Sequence, residues 1–197
     1  EKVIFDTESW TNISKWAGEA GDILKGKTTP FYNPDLAFIE FAIRQYLFLA
    51  DAREELLRAA NAYNHGCEIQ LHDQQEALKL IRKARDIIGS LKYRFEQLTT
   101  DFEILWNMEN QLYWRDRALL KYQQRIRAFT NQMELLEEAI RMLETGGYLP
   151  PPAEVRLDIR QQPGQYFPYW LLVGSFPVDA FEKTGTDFLI PMGGEAN

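Results

Sequence analysis

From Ala77 the apolar residues fall at alternating steps of three and four: Ala77, Ile81, Ala84, Ile88, Leu91, Phe95, Leu98, Phe102, Leu105, Met108 and Leu112. After a break at Arg115 the series resumes as Leu119, Tyr122, Ile126, Phe129, Met133, Leu136, Ile140 and Leu143. That rhythm draws one apolar stripe along an α-helix and predicts packing in a bundle. A single straight helix over the whole series would run about 100 Å, too long for a compact domain, so the spacing predicts a turn inside it. Two sites qualify. Thr100-x-x-Glu103 is a capping box, whereas Asn107-Met108-Glu109-Asn110 joins poor helix formers to a cap at Asn110. The second is preferred, because it yields helices over 34–64, 74–106 and 111–145 that can pair antiparallel end to end.

Upstream, Asn33-Pro34-Asp35 supplies a cap, a proline at the first helical position and an acid near the positive end of the helix dipole. The helix it opens is expected to stop at Gly66, and Asp73-x-x-Glu76 is the capping box of the next. The stretch Leu36 to Leu49 is apolar on nearly every face, so it must be covered from more than one side. Residues 1–32, with a short helix near 12–24, read as a lead-in segment packing on the bundle, and 33–147 as the bundle itself. Beyond Gly147 the texture changes. Pro150-Pro151-Pro152 reads as a stiff linker. Val155, Leu157 and Ile159 alternate with charged residues as a half-exposed strand, and Trp170–Val173 reads as a buried one. Residues 148–197 are therefore expected to form a β-extension, the start of a β-sandwich or a linker. The fold class is mainly α: an antiparallel bundle of about three long helices with a short C-terminal β-hairpin extension. Because the chain opens on Glu1 and stops at Asn197 before a β-domain closes, a segment of a larger protein is expected.

Composition narrows the function classes. Among 197 residues the net charge is −7, and the basic side chains are interleaved with acids, as in Arg53-Glu54-Glu55. Nucleic-acid binding needs a positive face to neutralise phosphates, so it is set aside. The longest apolar stretch, Leu36 to Ala50, carries Glu40 and Arg44 and falls short of a membrane span. One cysteine, Cys67, excludes an internal disulfide. Aromatics make up 13% of the chain, with five Trp. Such density serves a large core or interface, the preferred reading, or platforms on which sugar rings stack.

No catalytic set emerges. There is no nucleophile elbow and no phosphate-cradling glycine loop. Glu40/Arg44, Glu54/Arg58 and Glu137/Arg141 read as helix-supporting i,i+4 pairs. His65, Cys67, Glu68 and His72 cluster where the first two long helices meet, but their spacing matches no closed zinc pattern, so a polar inter-helix loop is preferred and no metal or cofactor is expected. Trp106, Glu109, Asn110, Tyr113 and Trp114 surround the proposed second turn. They combine flat aromatic surface with carboxylate and amide groups, as a sugar-contacting surface does; an aromatic helix junction explains them as well and is preferred.

Two stretches carry a family resemblance. Leu105-Trp106-Asn107-Met108-Glu109-Asn110-Gln111-Leu112-Tyr113-Trp114-Arg115-Asp116, with Lys121-Tyr122, resembles the helical region C-terminal to the barrel in bacterial glycoside hydrolases, especially family 20 β-N-acetylhexosaminidase-like proteins. Trp170-Leu171-Leu172-Val173-Gly174-Ser175-Phe176-Pro177, with Thr186-Asp187-Phe188-Leu189 and Gly193-Gly194-Glu195-Ala196, looks like the opening of β-sandwich modules attached to secreted carbohydrate enzymes, with Ser175 where a proline is usual. The resemblance covers about a third of the chain. It implies a non-catalytic accessory region that buttresses a barrel outside this chain, in a periplasmic or extracellular setting. Its partners would be other domains of the same polypeptide and an oligosaccharide. Family 20 chemistry uses an adjacent Asp-Glu pair, and this sequence contains no Asp-Glu dipeptide, so no catalytic residue carries over. A buttress predicts exposed apolar surface on Phe38, Phe41 and Phe48 or around Trp170. A free-standing helical protein-interaction module predicts the aromatics of 34–50 already buried, and a carbohydrate-binding module predicts a coplanar strip of exposed Trp or Tyr.

Overall fold

The computed structural model describes residues 7–27, 34–108, 115–155 and 157. They form four long helices and one helical turn: α1 (Thr7–Leu24), α2 (Pro34–Ile69), α3 (Gln74–Met108), α4 (Arg115–Glu144) and α5 (Pro152–Val155). There is no strand among the described residues. α3 lies between α2 and α4 and packs on both, while α1 packs on α2 and α5 touches α2 and α4.

The described part of α2 opens on Pro34, with Asp35 in its first turn, where the acid meets the dipole; the Asn33 cap lies outside the described residues. The helix does not stop at Gly66. A Cβ there would stand 2.7 Å from Ile81 Cδ1, so this glycine serves close approach to α3 rather than termination, and the helix runs on to Ile69. A tight reversal follows, in which His72 and Asp73 each donate a backbone N–H to the Ile69 carbonyl at 2.8 Å. Asp73 then caps α3 as the capping box predicts, its Oδ1 accepting the Glu76 N–H at 2.9 Å.

α3 passes Thr100 unbroken. The Thr99 and Thr100 hydroxyls donate to the carbonyls of Phe95 and Glu96 at 2.8 and 3.1 Å, so they bond back into their own helix instead of starting another. The described part of α3 runs to Met108 and that of α4 from Arg115; Glu109 and Asn110 of the preferred break lie outside the described residues. Eight of the predicted α3 positions, from Ala77 through Leu98 and at Leu105, are buried. Met108 is exposed.

Of the expected α4 stripe, Leu119, Tyr122, Phe129, Leu136 and Leu143 are buried, whereas Ile126, Met133 and Ile140 pack only partly against the core and Arg125, Gln132 and Ala139 are buried in addition. Polarity concealed this seam, because it includes an arginine and a glutamine. The fully buried Arg125 guanidinium lies 3.9 Å from the centre of the Phe129 ring, a cation–π contact, and burial lowers its pKa well below the usual arginine value. The three anticipated i,i+4 pairs are also replaced: Arg44 pairs with Asp101 across helices, Arg58 with Glu55 and Arg141 with Glu138.

The aromatics of α2 are covered from within. Phe41 and Phe48 are 7% and 6% exposed, because they meet Phe102 and Phe95 of α3; α1, a longer helix than the 12–24 expected, packs elsewhere on α2, with Gly21 beside Ile43. The exposed surface expected on these two residues is absent; Phe38 is partly buried against the core.

At the far end α4 closes in a Schellman turn. Gly146 adopts φ 80°, Gly146 N–H bonds Leu143 O and Gly147 N–H bonds Met142 O at 3.1 and 2.8 Å. The chain then folds back on the bundle. Leu149, Val155 and Leu157 belong to the core cluster, so the packed body continues past the boundary drawn at 147. The strand expected to open at Val155 is instead the end of the helical turn α5, which a proline at its first position favours. Ile159 and Trp170–Val173, on which the β-hairpin rests, lie outside the described residues.

Candidate functional site

A row of rings runs through the bundle and, among the described residues, reaches Trp106. Phe48 of α2 meets Phe95 of α3 at 5.5 Å between ring centres, and Phe95 meets Tyr122 and Phe129 of α4 at 5.6 and 6.2 Å. Nearer the α3–α4 junction, Phe102 stacks on Tyr122 at 4.6 Å with 21° between planes and touches Phe41 at 6.0 Å. Trp106 continues the row against Phe102 at 5.4 Å. The row exists because Phe95 and Phe102 are one heptad apart on α3 and face Phe41 and Phe48, also a heptad apart, on α2.

Polar groups frame this end. Gln45 Nε2 donates to the Tyr122 hydroxyl at 2.7 Å, joining α2 to α4. Burial pushes the Tyr122 phenol up to about 12, while the bond from Gln45 acts in the opposite direction. Arg44 pairs with Asp101, and Arg115 Nη1 donates to Asn107 Oδ1 at 3.2 Å, bridging the end of α3 to the start of α4. Of the five residues singled out for sugar contact, Trp106 stands here, half-buried. Glu109, Asn110, Tyr113 and Trp114 lie outside the described residues.

The His/Cys/Glu cluster disperses. His65 Nδ1 sits 3.2 Å from Glu68 Oε2 on the surface, whereas Cys67 turns to the Pro150 carbonyl at 3.7 Å. Among the described residues no three His, Cys, Asp or Glu side chains form a group able to hold a metal ion. A shallow groove of about 510 Å³ between α2 and α3 is lined by Arg58, Lys79, Arg82 and Lys83 with Glu55 and Asp86. Its cations are largely matched, Arg58 by Glu55, Lys79 by Glu76 and Arg82 by Glu144, so it offers no concentrated positive field. No described helix is long and apolar enough to cross a membrane.

Two arrangements were missed in the sequence. The buried Arg125–Phe129 contact gives no signal beyond an arginine inside an apolar stripe. Tyr63, Cys67 and Gln70 do carry one, their i, i+4, i+7 spacing on α2, and all three turn out to face the returning chain at Leu149 and Pro150. Comparison with family models, with curated proteins and with solved structures returned no match.

Proposed function

We propose that this chain is a non-catalytic helical accessory region, of the kind that buttresses the barrel of a secreted bacterial glycoside hydrolase. The carbohydrate setting rests on the resemblance around Trp106 and Trp170. The accessory role is supported by one observation: the rings that meet one another among the described residues do so in the interhelical row, where Phe102 and Tyr122 face each other at 4.6 Å, whereas the exposed Trp16, Tyr46, Tyr93 and Tyr148 are spread over α1, α2, α3 and the segment after α4. Stacked faces packed inside a bundle rigidify it and are closed to ligand.

A helical protein-interaction module is the second reading, favoured by the burial of Phe41 and Phe48. That burial moves any barrel contact away from these residues. Titration with N-acetylglucosamine, chitobiose and a panel of host and plant oligosaccharides, followed by Trp fluorescence and heat, tests the proposal. No saturable response is expected from the chain alone, and no hydrolysis of the panel. Saturable binding lost in Trp106→Ala or Trp114→Ala would replace it with a carbohydrate-binding module, and turnover would refute the non-catalytic assignment.

A further inference from the structure

We propose that Tyr63, Cys67 and Gln70 form a clasp that locks residues 148–157 across α2 and α4, making this tip of the bundle one cooperative unit and fixing where the chain stands at Leu157. The inference stands whether or not the carbohydrate setting holds.

The chemistry begins with Pro150-Pro151-Pro152. Three prolines supply three carbonyls and no N–H, so the segment cannot join a backbone ladder and depends on donors from elsewhere. α2 provides them from one face. The Tyr63 hydroxyl donates to Pro150 O at 2.8 Å, and the Cys67 thiol approaches the same oxygen at 3.7 Å. Pro151 O accepts the Glu154 N–H at 2.9 Å, which closes α5. Just before the prolines, Leu149 N–H donates to Gln70 Oε1 at 2.7 Å. The Gln70 amide is itself held, because its Nε2 donates to Cys67 O at 2.9 Å, leaving the oxygen aimed at the strap.

Packing completes the lock. Leu149, Val155 and Leu157 enter the core, and α5 touches both α2 and α4. The same tip is tied to α3 by the Gln74 amide on Leu143 O and by Arg82 to Glu144 at 2.7 Å. Locked proline torsions lower the entropy lost on docking, which lets a short strap hold with few bonds. A tail resting passively on the surface would need neither a buried phenol nor an oriented amide.

Hydrogen–deuterium exchange on the full chain tests this, comparing wild type with Gln70→Ala, Gln70→Glu and Tyr63→Phe. Tyr63→Phe keeps the buried ring and so keeps the fold. Gln70→Glu keeps the acceptor for Leu149 N–H. Gln70→Ala and Tyr63→Phe are expected to speed exchange roughly ten-fold or more at Leu149, through 153–155 and in the last turns of α2 and α4 together, with the middle of α3 unchanged. Gln70→Glu loses the donor to Cys67 O while keeping that acceptor, so its Leu149 exchange should fall between wild type and Gln70→Ala. Exchange rising in the strap alone would overturn the proposal, as would a uniform rise over all helices or a Leu149 amide unprotected in the wild-type chain.

Discussion

Phe95→Ala is the sharpest test of how this bundle is held. Phe95 is 2% exposed and touches Phe48, Tyr122 and Phe129 together, at 5.5, 5.6 and 6.2 Å. Truncation removes most of a buried aromatic and leaves a cavity between three helices, for which about 3–5 kcal/mol is the usual cost. Part of that loss belongs to ring pairing, roughly 0.5–1.5 kcal/mol per pair beyond area burial. Against a total stability of about 5–15 kcal/mol the change is large. At roughly 2–4 °C per kcal/mol for a chain of this size, a loss of about 4 kcal/mol lowers Tm by about 8–16 °C. Urea unfolding followed by far-UV circular dichroism gives the free energy directly, with the m-value as a check that the folded state is retained. Phe95→Leu keeps apolar volume but loses the ring pairs and should cost about 1–2 kcal/mol. Trp106→Ala, at the half-buried end of the row, should cost about 1 kcal/mol. The order of the three decides the matter: if Phe95→Ala costs less than Trp106→Ala, the row is not what joins α2, α3 and α4.

Gly89→Ala, inside α3, should stabilise the protein by roughly 0.5–1 kcal/mol, because the added Cβ meets only the Met133 side chain of α4, its Cε and Sδ at an ordinary 3.5 and 3.8 Å; thermal unfolding would show a higher Tm. Stability should also fall at high pH. The Tyr122 phenol, raised to about 12 in the fold from roughly 10 when unfolded, keeps its proton longer folded than unfolded. Its contribution is therefore complete below about 10 and is lost as pH rises toward 12. Urea midpoints measured from pH 9 to 11.5 should decline less steeply in Tyr122→Phe than in wild type, and equal slopes would show that Tyr122 carries none of the effect.

Local rules were enough for the helices because their signals act within a turn or two. The Asp73 cap and the three–four rhythm of α3 each depend on neighbours along the same helix, and the structure reproduces them. The seam of α4 followed only in part, since a helix with apolar residues on two adjacent flanks can roll toward either, and the packing buries Arg125 and Gln132. Gly66 was misread for a similar reason. A glycine that ends a helix and one that admits Ile81 look identical until the neighbouring helix is in place. Within the candidate site, Trp106 was legible as an aromatic near the α3–α4 junction, but that Phe102 and Tyr122 would stack beneath it depended on two helices far apart in sequence meeting in one register.

The three prolines mark the same division. Their stiffness and want of N–H groups are properties of the residues alone. Whether they form a free linker or a clasped strap depends on Tyr63 and Gln70, more than seventy residues upstream, reaching their carbonyl and the N–H beside them. Helix formation is decided by short-range torsions and hydrogen bonds, so it can be read from the sequence. Helix rotation, close approach and the docking of the returning strap are decided by burial between distant segments, and only the tertiary structure settles them.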